Sequence, residues 1–161
     1  MTHADSRVVA RSGRTWSIST TNGCTTLGYL PDWAQGDPSR KGVAPDRLAV
    51  ELSDITHEAS FGGQFMRVCS GAECPGEESA VLIAYMQCSP FAGDGSAASV
   101  PLVSVQILDD VWIANLDPSG VVEAAEKFRS FADLLVNTVA PALSAAQADW
   151  AARFSVRHPQ V

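Results

Sequence analysis

The chain has 161 residues, 46% of them hydrophobic and 18% charged, with a formal net charge of −7. That length supports one domain with a real core and leaves little room for two, and the composition excludes wholesale disorder. The acidic balance, with a pI near 4.8, argues against direct nucleic-acid or anionic-membrane binding, because both need a positive field.

The charge is unevenly placed. Residues 1–47 carry six basic side chains (Arg7, Arg11, Arg14, Arg40, Lys41, Arg47) against Asp5, Asp32, Asp37 and Asp46. Residues 48–120 carry only Arg67 against ten acids, a balance of −9, and residues 121–161 are neutral. The acidity therefore belongs to the middle of the chain. Nine of the eleven basic residues are Arg and 23 residues are Ala, a skew that GC-rich codons produce.

Residues 1–13 alternate charges and small residues without the apolar run of a signal peptide, and read as a flexible arm before a single domain over 14–158. The longest apolar stretch, Ala80 to Met86, is far short of the roughly 20 residues that span a bilayer. A cytoplasmic protein without a membrane segment is expected. Four cysteines (Cys24, Cys69, Cys74, Cys88) are too sparse for a disulfide scaffold and fit a reducing compartment.

Arg14 to Thr20 alternates Trp16 and Ile18 with small polar residues, which predicts a half-buried strand. Residues 21–45, rich in Gly, Pro, Asp and Ser, read as a long loop. Alternation over Leu48 to Thr56 predicts a second strand, and Gly62-Gly63 a turn. A third strand follows over Gln64 to Cys69, with Phe65 and Val68 reaching a core, then a polar connection from Ser70 to Ser79. Ala80 to Gln87 is apolar on both faces and predicts a central strand. Ser89 to Ser99 reads as a loop, and Leu102–Leu108 with Val111–Leu116 as a β-hairpin turning at Asp109-Asp110.

Asp117-Pro118 opens a helix, with Asp117 as N-cap and Pro118 at the first helical position. Apolar residues recur from Val121 through Ala125, Phe128, Ala132, Leu135, Val139, Leu143, Ala146 and Trp150 to Phe154, spaced three and four apart, as one buried stripe. Pro141 interrupts this helix, and because the stripe keeps phase across it the expectation is a kink rather than a helical hairpin. At about 1.5 Å per residue, Pro118 to Phe154 would reach roughly 55 Å, so the second half either bends back or projects. A projecting segment would expose Leu143, Trp150 and Phe154, a seam suited to a second copy of the chain. The fold class is thus α+β, an antiparallel sheet of five to six strands packed by a long, kinked C-terminal helix.

Few residues offer chemistry. Of three histidines, His3 lies in the arm and His158 in the tail, so a Ser/His/Asp or Cys/His unit would have to use His57, beside Asp54 and Glu58. The alternative is a solvated histidine at a strand end. Cys69 and Cys74 have four residues between them, which allows free thiols, a local disulfide, or a metal site completed by Cys88 and either Cys24 or His57. No calcium loop, Walker-type glycine loop or dinucleotide fingerprint occurs, and no cofactor or metal is expected.

Three short pieces, Leu30-Pro31-Asp32-Trp33, Ser53-Asp54-Ile55-Thr56-His57 and Asn115-Leu116-Asp117-Pro118, resemble in order and content a family of small actinobacterial domains of unknown function. That layout runs strand, Trp-containing loop, strand ending near a histidine, further strands, and a Leu-Asp-Pro helix start. The resemblance covers about Arg14 to Leu143 and departs at Ala34, where the family often has cysteine. It implies an arrangement of parts and no activity.

The reading these features favour is a non-enzymatic binding or regulatory module acting through protein–protein contacts and self-association. One rival is a small hydrolase- or transferase-like enzyme using His57 with Asp54 or a thiol. The other is an acidic decoy that engages a basic protein surface.

Overall fold

A computed structural model describes residues 13–69, 76–93 and 99–157, with side chains described as far as residue 153. The N-terminal arm, Cys74 with any Cys69–Cys74 pairing, His158 and the Phe154 side chain lie outside the described residues. The chain divides between Asp117 and Pro118 into two units.

Among the described residues, the first unit holds nine strands in three sheets. Strand β1 (Arg14–Thr20) pairs antiparallel with β2 (Thr25–Leu30) and parallel with β3 (Arg40–Val43). Two strands therefore occupy the stretch read as a loop. β2 alternates Thr26, Gly28 and Leu30 inward with Leu27 and Tyr29 outward, a period-two pattern whose inward positions are mostly small residues.

A second correction concerns residues 48–56. Leu48–Ser53 is a short helix, α1, preceded by a 3-10 turn at Pro45–Arg47. Leu48, Leu52 and Ile55 stand four and three apart, helical spacing, and all three pack with Trp16, Ile18 and Leu30. The same letters fit an alternating strand, and packing against Trp16, Ile18 and Leu30 decides for the helix. Trp16, Ile18 and Leu30, each 1% exposed, form the best-buried part of the molecule.

The second sheet runs β4-β7-β8-β9 and is antiparallel: β4 (His57–Phe61), β7 (Ile83–Cys88), β8 (Leu102–Leu108) and β9 (Val111–Leu116). β7 is interior, as its two apolar faces predict, but the apolar run is split. Leu82, at φ +57°, ends β6 (Glu77–Val81) and starts β7. β6 pairs instead with β5 (Gln64–Val68) in a two-stranded ribbon, so part of the expected polar connection is strand. Phe65 lies 73% exposed there rather than in a core. Gly63 sits between β4 and β5 against the Val81 carbonyl, where an added Cβ would clash with backbone. The predicted hairpin is β8-β9, and Asp109 at φ +41° makes its turn.

The second unit is helical throughout its described length: α2 (Pro118–Leu134), a π turn (Leu135–Val139) and α3 (Ala140–Arg157). Pro141 has no N–H to give, and the chain stays helical by a wider turn just before it, with the Ala140 N–H donating five residues back to the Leu135 carbonyl. The expectation of a buried stripe fails. Phe128, Phe131, Leu134, Leu135, Val139, Leu143 and Trp150 are all exposed. Their charged neighbours form two local pairs, Glu123–Lys127 at 2.6 Å and Asp149–Arg153 at 2.9 Å. No described helix is long and apolar enough to cross a membrane.

Candidate functional site

The first unit brings its two larger sheets to an apolar cavity of about 370 Å³. Trp16 comes from β1, Tyr29 from β2, and Pro31 and Trp33 from the loop after it. His57 opens β4, Cys88 closes β7, and Pro90, Phe91 and Pro101 lie between β7 and β8. Local sequence builds these walls. The Ala34 N–H donates to the Pro31 carbonyl at 3.0 Å, turning Leu30-Pro31-Asp32-Trp33 so that Leu30 enters the core while Trp33 meets the His57 ring edge-on, centroids 6.4 Å apart. Gln35 then straps this loop to β4: its N–H donates to the Glu58 carbonyl at 2.9 Å, its Nε2 to the Ser60 carbonyl, and its Oε1 accepts from the Ser60 N–H. Opposite, Trp16 and Phe91 make a perpendicular ring pair at 5.9 Å. Gly28 faces the Trp16 indole across the strand pair, and any Cβ there would fall within the ring.

His57 is the polar residue of the site that is most enclosed. It is buried, 4% exposed, and its Nδ1 has no hydrogen-bond partner. An orphaned polar atom of this kind costs about 1–3 kcal/mol. Burial pushes the imidazole below its ordinary pKa, partly offset by a hydrogen bond to the Tyr29 backbone. The expectation of a solvated histidine is thereby corrected, since the strand end is covered by the Trp33 loop.

Cys88 stands directly across from His57 in the β4–β7 register. Its thiol donates to the Ser99 carbonyl at 3.4 Å, and burial pushes it above its ordinary value. Both members of this His/Cys neighbourhood are therefore held uncharged, opposite to the thiolate that nucleophilic chemistry requires. Asp54 is elsewhere: it lines a separate cavity of about 250 Å³ with Glu51, Glu58 and Arg40, where Arg40 pairs with Glu51 at 3.2 Å. Cys24 and Cys69 are exposed, and among the described residues no three His, Cys, Asp or Glu side chains gather as a metal site. Cys88 also lines a third cavity, about 240 Å³, with Thr56, Gln87, Ser89, Leu102, Ser104 and Asn115.

Sequence reasoning singled out His57 and Trp33 and missed Trp16, Tyr29, Phe91 and Gln35 as parts of one site. Pro90-Phe91 was the available signal, a bulky pair in a segment otherwise made of small residues.

Fold and site define a mixed α+β protein with an aromatic cavity around one neutral histidine and a separate helical unit. The chain belongs to the DUF6907 family, a domain of unknown function, whose model matches residues 16–145. No curated protein and no solved structure matches it.

Proposed function

We propose that the protein is a non-enzymatic binding module that works as a self-associated pair, with the C-terminal helix as the joining surface. The observation that carries this is the exposed run of large apolar residues on α2, the π turn and α3, from Phe128 to Leu143. Such a face on a helix in water is a surface waiting for a cover. A second copy is the occupant favoured by charge. Residues 134–148 contain no charged side chain, and the whole helical unit balances four acids with four bases, so the face suits an equally neutral partner rather than a strongly charged one. Antiparallel packing of two copies would bring Leu143 of each toward the apolar side chains of the other.

A cytoplasmic site of action fits the sparse cysteines, and the Arg- and Ala-rich composition fits a high-GC, actinobacterial source. A basic protein surface is a second candidate partner, supported by the carboxylates of Asp54 and Glu58, which line one cavity beside the Arg40–Glu51 pair. Sedimentation of the full chain at tens of micromolar tests the main reading. A dimer that becomes monomer on Trp150→Glu supports it, and a monomeric wild type defeats it.

A further inference from the structure

We infer that the polar cavity lined by Gln87, Ser104 and Asn115, together with the Tyr85–Trp112 ring pair beside it, binds a single pyranose ring of a carbohydrate. This stands apart from self-association, since every residue it uses belongs to the first unit.

Register puts these groups side by side. Alternate residues of a strand share a face, and so do directly paired residues of neighbouring strands. Tyr85 and Gln87 alternate on β7, Ser104 and Gln106 on β8; Tyr85 is paired with Ser104, and Gln106 with Trp112 on β9. Ser104 therefore belongs both to the cavity and to the face that carries the two rings, whose centroids stand 5.4 Å apart. Asn115 joins them through a bulge. Val103 lies opposite Leu116 and Val105 opposite Ile113, so Ala114 and Asn115 together face Ser104, with Asn115 at φ +59°. A bulge of this kind re-aims a side chain. At about 240 Å³ the cavity has room for one small ring.

The polar groups suit hydroxyls. Thr56 and Ser89, also in the lining, hold each other through their hydroxyls at 2.9 Å. The Ser104 oxygen accepts from the Asn115 N–H at 3.3 Å, which leaves its O–H to be donated. Among the described residues the side-chain amides of Gln87 and Asn115 have no protein partner, and each can both give and accept. Adjacent groups that do both match the adjacent hydroxyls of a sugar, which do the same. The rings supply the rest of the recognition, since a pyranose carries C–H groups that rest on an aromatic plane as other apolar groups do. Trp112 is 44% exposed and has ring surface to offer. Tyr85 is fixed beside it, its Oη donating to Gln106 Oε1 at 3.5 Å while the Gln106 Nε2 donates to the Asp109 carbonyl. The two ring planes are tilted by 50°. A flat base can lie on only one of them, whereas a puckered sugar ring can meet both.

Titration of the full chain followed by ¹H–¹⁵N NMR tests this, with cellotriose, maltotriose, mannotriose and chitotriose as probes and adenosine as the flat-ring comparison. At least one trisaccharide is expected to give saturable shifts at the Trp112 indole N–H and at the side-chain amides of Gln87 and Asn115. Trp112→Ala should weaken that sugar about five-fold or more. Asn115→Gly, which removes the amide and keeps a residue that accepts positive φ, should weaken it about three-fold or more. Phe65→Ala, exposed on the β5-β6 ribbon, should leave binding unchanged. No saturable shift with any of the four sugars, adenosine binding at these amides more tightly than every sugar, or sugar affinity unchanged in either Trp112→Ala or Asn115→Gly would each overturn the assignment.

Discussion

The β1–β3 layer and the C-terminal helix treat apolar residues in opposite ways. The layer is small, yet it takes Trp16, Ile18 and Leu30 almost wholly out of water by folding α1 over one face. The helix is far longer and leaves Phe131 58% and Trp150 65% exposed. Burial depends on having a second layer. The first region supplies its own from a six-residue helix, whereas the described side chains of the second leave most of its large apolar residues exposed.

The contrast can be broken most severely at Trp16. Trp16→Ala should cost about 3–5 kcal/mol and abolish the cooperative urea transition of the sheet unit, while far-ultraviolet circular dichroism retains the helical signal. Simultaneous loss of the helix would mean that the two regions fold as one. Gly28→Val attacks the same contact from across the strand pair, where the new side chain falls within the indole. A loss of about 1–3 kcal/mol is expected, read as a lower urea midpoint; an unchanged midpoint would show that the indole moves aside freely.

His57 gives a smaller, pH-dependent effect. Its folded pKa is depressed below the ordinary 6.5, so the unfolded chain binds the proton more readily, and stability is complete above that value and declines as pH falls through it. Cys88, opposite, is neutral throughout this range because burial moves its pKa upward from 9.0. Thermal melts between pH 7.5 and 5 should fall in the wild type and stay flatter in His57→Phe. The smallest change in stability is expected on the helix, where Leu143→Glu should leave the melting of the sheet unit within about 0.5 kcal/mol while removing self-association in a concentration series.

Legibility in the sequence followed the same divide. β1, the β8-β9 hairpin and the helix from Pro118 were readable because each has a strong local period bounded by turn or start residues. β2 and β3 were not, since Thr26, Gly28 and Gly42 carry no apolar signal and their pairing with β1 is a tertiary event. Leu48 to Ile55 satisfied both periods, and only contact with Trp16 decides for the helix. Leu82 is a bulky residue at positive φ, and nothing local announces it. Within the site, His57 stood out by rarity, while its neighbours among the described residues came from four separated segments that no spacing rule joins.

The central claim, that the helix needs a cover and finds it in a second copy, is tested most directly by amide hydrogen exchange of the full chain at about 1 μM and about 100 μM, with β1 and β2 as internal reference. The account predicts that protection over α2 and α3 rises with protein concentration while that of β1 and β2 does not change. Exchange in the helix that is the same at both concentrations would contradict it.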